Sequence, residues 1–164
     1  SANLSFTSGI DSTYDSYVFK FYNIHPATDG VTFEFQGSTN GGSTYGVTIT
    51  SSVFQAYHQE NDAGAGIQYA TNNDLAQSTS FQKITGDLGN QNDECGSGIV
   101  QLFNPSSTTF VKHFITRENG QQNNEQSVNV FAAGYFNTTS AINAVQFKMS
   151  SGNFDGVIKL YGIS

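Results

Sequence analysis

Short stretches of alternating apolar and polar residues recur along this chain, and they leave it little choice of fold. Residues 17–24 read YVFKFYNI. Successive side chains of an extended strand point to opposite faces, so Tyr17, Phe19 and Phe21 share one face. His25-Pro26 closes the run, because proline cannot donate to a strand ladder. Val31, Phe33 and Phe35 then alternate with Thr32, Glu34 and Gln36, which predicts a half-buried strand with one wet face. Comparable runs lie at 47–50, 53–57, 81–84, 99–103, 110–117, 128–136, 144–149 and 156–163. Clusters such as Asn40-Gly41-Gly42 and Asn104-Pro105-Ser106-Ser107 punctuate them as turns. No segment carries a sustained apolar stripe at helical spacing, and residues 74–80 have room for one helical turn at most.

This pattern predicts about nine or ten strands and essentially no helix. The expected fold is all-β, an antiparallel two-sheet β-sandwich, jelly-roll-like, with residues 1–164 forming one domain. A doubly wound sheet is excluded, since neither strand–helix alternation nor a glycine-rich phosphate loop is present. An immunoglobulin sandwich would want a buried Trp and a cysteine pair, and the chain has no Trp and one Cys.

Composition narrows the function classes. Ser, Thr, Asn and Gln fill 63 of the 164 positions, while charged residues make up 12% against a usual ~25%. Fourteen Phe and eight Tyr supply enough apolar surface to order such a polar chain. Six Lys and Arg against 13 Asp and Glu give a formal charge of −7. The cations are scattered rather than clustered, so the sequence predicts no nucleic-acid partner and no membrane partner. Cys95 cannot bridge within its own chain and reads as a half-buried, inert thiol.

Catalytic and metal signals are weak. His25, His58 and His113 lie far apart in sequence, unlike zinc ligands. Gly96-Ser97-Gly98 is only half of a nucleophile elbow and has no helix after it. Cys95 sits beside Asp93 and Glu94, which would raise its pKa rather than activate it. The acidic residues Glu34, Glu60, Asp62, Asp93, Glu94 and Glu118 form no recognisable glycosidase pair. Residues 90–94 offer hard oxygen ligands without the EF-hand order and read as a solvated loop. The expectation is a non-enzymatic protein with no catalytic residues, no metal and no cofactor. Carbohydrate chemistry has more material: Tyr45, Tyr57 and Tyr69 stand near Gln55, Gln59 and Asn61 as aromatic platforms and amide partners.

Several segments together carry a resemblance. They are residues 6–14 (FTSGIDSTY), 23–26 (NIHP), 54–58 (FQAYH), 102–114 (LFNPSSTTFVKHF), 133–139 (AGYFNTT) and 159–163 (KLYGI). In these the chain resembles a family of virion structural proteins of tailed phages of marine bacteria, cyanophage- and pelagiphage-like. The resemblance spans nearly the whole chain. It implies a virion structural protein with further residues before Ser1; the expected display is as a fibre, knob or capsid decoration, with that N-terminal segment as the attachment arm. The implied partners are other copies of the chain, as a homo-oligomer and most simply a trimer, other virion proteins, and a host-surface glycan. Few charges suit a particle in salt water, where ionic contacts are screened within ~3–5 Å. The polar stretches 59–73, 87–98 and 118–126 are expected as loops facing the host, at the far end from the attachment arm. Receptor contact is expected at Tyr57, Gln59, Asn61, Tyr69, Asn92, Asp93 and Asn119. A lectin-like carbohydrate-binding module is the alternative reading, and a glycan depolymerase a third.

Overall fold

In the computed structural model, which describes residues 1–164, eleven strands and no helix are formed. In chain order they are β1 (Asn3–Phe6), β2 (Ser16–Pro26), β3 (Phe33–Ser38), β4 (Ile49–Gln59), β5 (Ala65–Tyr69), β6 (Gln82–Lys83), β7 (Gly96–Phe103), β8 (Lys112–Gln122), β9 (Gln126–Phe136), β10 (Ala144–Met149) and β11 (Phe154–Ile163). They pair antiparallel in two sheets, a four-stranded one ordered β1-β10-β3-β6 and a seven-stranded one ordered β11-β2-β7-β8-β9-β4-β5. The protein is a β-sandwich. The chain crosses between the sheets at β2–β3 and β3–β4, while β7, β8 and β9 follow one another as neighbours in the large sheet.

Alternation in sequence becomes alternation in burial. Along β8, Lys112, Phe114, Thr116, Glu118, Gly120 and Gln122 turn inward, and His113, Ile115, Arg117 and Asn119 turn out. The core between the sheets is a layer of phenylalanines. Phe33, Phe35 and Phe147 come from the small sheet, and Phe19, Phe21, Phe114 and Phe136 from the large one. Phe147 lies at the centre, with ring centroids 5.3 Å from Phe19, 5.6 Å from Phe33, and 6.2 Å from both Phe6 and Phe35. The contacts with Phe6 and Phe19 are edge-to-face and those with Phe33 and Phe35 are stacked, the two arrangements the ring quadrupole favours. Gly37 makes room for the layer, since a Cβ there would come within 3.0 Å of the Phe136 ring.

Three expectations need correction. β3 has no wet face: Thr32, Glu34 and Gln36 are as buried as Phe33 and Phe35. Part of the segment between β5 and β6 lies against this strand, and the Gln36 amide donates to the carbonyls of Thr79 and Ser80. The runs at 47–50 and 53–57 join in one strand, β4, which starts at Ile49 and runs on to Gln59. Residues 118–126 are not a loop. They are the tip of the β8–β9 hairpin, closed by a three-residue turn at 123–125. Glu125 takes a left-handed φ of 59° there, the usual closure of a three-residue hairpin.

Truncating the central ring should leave a cavity that the packed layer cannot close. Phe147→Ala should cost about 3–5 kcal/mol of unfolding free energy in urea denaturation; a loss below ~1 kcal/mol would show that the layer is not the main source of cohesion.

Candidate functional site

The turns at one end of the large sheet form a single surface. Glu60 N–H donates to the Glu125 carbonyl at 3.0 Å, and the Gln121 amide donates to Glu60 Oε1 at 2.9 Å. Gln121 N–H also donates to the Cys95 carbonyl at 3.1 Å, tying the loop before β7 to this end. The three polar stretches therefore do converge, but each is shorter than expected: residues 59, 65–69, 96–98, 118–122 and 126 belong to strands. Ser1 is tied to this end too. The Ser1 ammonium donates to the Phe154 carbonyl at 2.7 Å, Phe154 pairs with Pro26, and His25 Nε2 lies 3.0 Å from the Gln91 carbonyl. Ser1 thus sits at the same end as the three turns, not at the far end.

The expected contact residues do not share one cavity. Gln59 and Asn61 flank the β4–β5 turn, where Asn61 Oδ1 accepts from Ala63 N–H at 2.9 Å. Asn92 and Asp93 are exposed in the neighbouring loop. Tyr57 points inward over Gly66 and packs against Val53, Val128, Val130 and Ala132. Asn119 lies on the outer face of β8, donating to Ser127 Oγ and the Val128 carbonyl, both at 3.0 Å. Tyr69 is at the far end of β5, its phenol donating to Asp74 Oδ2 at 2.7 Å.

Tyr69 does line a polar groove of about 560 Å³ along the β4–β5 edge. Four glutamines, Gln55, Gln68, Gln122 and Gln126, line it together with Asn72, Asn73 and the oppositely charged Lys83 and Asp87. The Gln126 amide donates to Gln122 Oε1 at 2.6 Å, which fixes the outward atoms as Gln126 Oε1 and Gln122 Nε2. Gly86 leaves the space that the Gln122 amide occupies. Such a wall presents amide donors and acceptors without net charge, the chemistry that pairs with sugar hydroxyls. Gln68, Gln122 and Gln126 went unread in the sequence. The available signal was the continuation of the inward face of β8 and β9 past Gly120 with polar residues.

The interior holds two deeply buried acids, Glu94, whose Oε2 accepts from Gln91 N–H at 2.7 Å, and Glu118. Glu118 is 1% exposed, and neither carboxyl oxygen has a hydrogen-bond partner. Its head occupies the space above Gly96 and Gly120, which no Cβ could share, against Leu88. Burial pushes its pKa well above the usual 4.5. Glu34 is raised in the same direction by burial, opposed by the hydrogen bond from Thr32 and by Lys148. Lys112 is held between the carbonyls of Phe110 and Thr138 at 2.9 and 3.0 Å, and burial lowers its pKa.

The three histidines are separate. His58 Nε2 meets Asp62 at 3.1 Å, His113 packs edge-on to Tyr135, and His25 faces Gln91. Cys95 is free and half-buried. No three His, Cys, Asp or Glu side chains come together as a metal site. No helix is long and apolar enough to cross a membrane. No protein-family model, no curated protein and no solved structure matches the chain.

A carboxyl whose folded pKa lies above its unfolded value favours the fold fully below the unfolded pKa. That contribution is lost as pH rises from about 4.5 through the raised value. Wild-type melting temperature should therefore fall between pH 5 and pH 8. Glu118→Gln should remove part of that fall, with a melting-temperature advantage that widens with pH to about 2–4 °C or more. A constant difference across the range would mean that Glu118 stays in one protonation state.

Proposed function

We propose that this protein is a non-enzymatic virion structural protein, displayed on the particle surface as a fibre, knob or capsid decoration and assembled as a homo-oligomer, most simply a trimer. In that place it would aid adsorption to the host. The sequence resemblance leads to this reading, and one structural observation carries it further: cohesion here owes almost nothing to charge. Two ion pairs are present, His58–Asp62 at the surface, of the kind worth little, and Lys148–Glu34, at the 4.0 Å limit of contact. Against them stand 89 backbone hydrogen bonds and the phenylalanine layer. A fold built this way keeps its stability in salt water, where exposed ion pairs are screened.

An antibody raised against the purified domain should label intact particles and slow their adsorption, and the chain should appear in the protein mass spectrum of purified particles. Its absence from every particle preparation would refute the reading. The melting temperature should also change by less than about 2 °C between roughly 0.05 and 0.6 M sodium chloride.

The glutamine-walled groove supports a second reading, a lectin-like module for a neutral glycan. Under it, Gln68→Ala and Tyr69→Ala should each weaken binding to a neutral host polysaccharide about tenfold, the effect of losing ~1.4 kcal/mol. Release of reducing ends from that polysaccharide by the wild-type protein would point instead to a depolymerase.

A further inference from the structure

The outer face of the seven-stranded sheet differs from the rest of the molecule in charge and in composition. Cross-strand pairing sets its residues in rows. One row runs Phe54, Phe131, Arg117, Ile99, Lys20, Lys159 across β4, β9, β8, β7, β2 and β11. The next runs Ser52, Ala133, Ile115, Gln101, Val18, Tyr161. On the other side, Asn129, Asn119 and Ser97 lead towards Tyr22 and Val157. No Asp or Glu occupies any of these positions, although the chain has 13. Carboxylates stand at the margin, where Asp155 pairs with His25 at the start of β11, Asp74 meets Tyr69, Asp62 meets His58 and Glu60 meets Gln121. Tyr22, Phe54, Ile115, Val157 and Tyr161 are each more than 40% exposed on this face.

The cations here are also unlike the others. Lys148 is half-buried, approaches Glu34 and lies over the Phe81 ring at 4.4 Å, Lys112 is buried and held by two carbonyls, and the half-buried Lys83 donates to the Asn72 carbonyl. Lys20, Arg117 and Lys159 have no carboxylate partner. Each instead lies over an aromatic ring of the same face: Lys20 over Tyr161 at 5.3 Å, Lys159 over Tyr22 at 5.8 Å, and Arg117 over Phe131 at 5.1 Å. A ring positions a cation without neutralising it. Phe131 stacks in turn on Phe54, with centroids 4.8 Å apart and planes within 4°. The result is a carboxylate-free strip of available positive charge and exposed rings on a chain of net charge −7.

We propose that this face binds an acidic polysaccharide, a polymer of uronate sugars, lying across the strands. Strands stand ~4.8 Å apart, about the length of one pyranose residue, so the row from Phe54 to Lys159 offers roughly one side chain per sugar. A row perpendicular to the strands follows the twist axis of the sheet and stays nearly straight. Lys159, Lys20 and Arg117 meet carboxylates, and Phe54 and Tyr161 meet the apolar faces of the rings. Charge argues against the other occupants. A second copy docked face to face with its rows parallel would set the three cations against themselves, and with its rows antiparallel would set Lys159 and Lys20 against Phe54 and Phe131 and leave their charge unneutralised. A nucleic acid, with about one charge per 1.7 Å of duplex, would be repelled by the acidic remainder of the surface. This inference does not depend on where the protein is displayed.

The test is binding of the whole chain to polygalacturonate, with dextran as the neutral polymer and oligothymidylate as the nucleic acid, beside a mass measurement of the protein alone. Binding to polygalacturonate without binding to dextran is expected. Lys20→Gln with Lys159→Gln, Arg117→Gln, and Phe54→Ser should each weaken it at least about tenfold, with melting temperatures unchanged. Lys148→Gln, a cation off this face, should bind as the wild type does. The proposal is overturned by no binding to polygalacturonate, by equal binding to dextran, by tighter binding to oligothymidylate, or by equal losses in Lys148→Gln and the lysine pair. Self-association that Phe54→Ser abolishes would overturn it as well, by assigning the face to a second copy.

Discussion

The contact of Phe147 with the rings of Phe6, Phe19, Phe33 and Phe35 is the constraint on which the rest of the structure depends. A sheet with amide and hydroxyl side chains on one face has little reason to lie flat against another. Interlocked rings supply it, because each aromatic buries about 150–250 Å² and prefers a defined angle to its neighbour. With that layer in place, the seven-stranded sheet is fixed from one side only. Its other face is left rigid, broad and open to solvent. The same arrangement explains why the fold needs so few charged contacts, since burial and the backbone ladder do nearly all the work.

The inner face changes character along its length. Near Phe114 and Val100 it is apolar; beyond Gly98 and Gly120 it carries Glu118, Gln122 and Gln126. Glycines make this possible. Gly96 and Gly120 leave the volume that the Glu118 head fills, and Gly86 does the same for the Gln122 amide. Polar groups buried in this way lower stability unless they are paired. Gln122 and Gln126 pair with each other, while burial pushes the Glu118 pKa up, in favour of the uncharged form. The edge of this polar zone is the glutamine-walled groove, and its apolar half is the core. The outer face is independent of both and contains three exposed cations, Lys20, Arg117 and Lys159, that form no salt bridge.

Much of the architecture was legible in the sequence. Alternation in 17–24 and 128–136 gives the strands and their inward faces, because burial on one side imposes a period of two. What misled was polarity on an inward face. Glu118, Gln122 and Gln126 look like loop residues, and nothing nearby in the chain shows that β8 and β9 continue beneath them. Thr32, Glu34 and Gln36 look wet because the segment that buries Gln36, around Thr79 and Ser80, lies more than forty residues away. The expected contact residues came from local richness in Tyr, Asn and Gln, and the fold scatters them between an inward face, an outer face and separate turns. The cation–aromatic strip was out of reach for another reason. Its members come from six strands, and only the register of all six sets Lys20, Arg117 and Phe54 in one row.

On this account recognition belongs to the flat face that the phenylalanine layer holds open, rather than to the turns at the end of the sandwich. Backbone amide shifts of the labelled protein, followed while an oligogalacturonate is added, test that division directly. Shifts concentrated at Lys20, Ile99, Arg117, Phe131 and Lys159 are the predicted result. Shifts confined to the turns at 60–64, 89–95 and 123–125, with the sheet face silent, would contradict it.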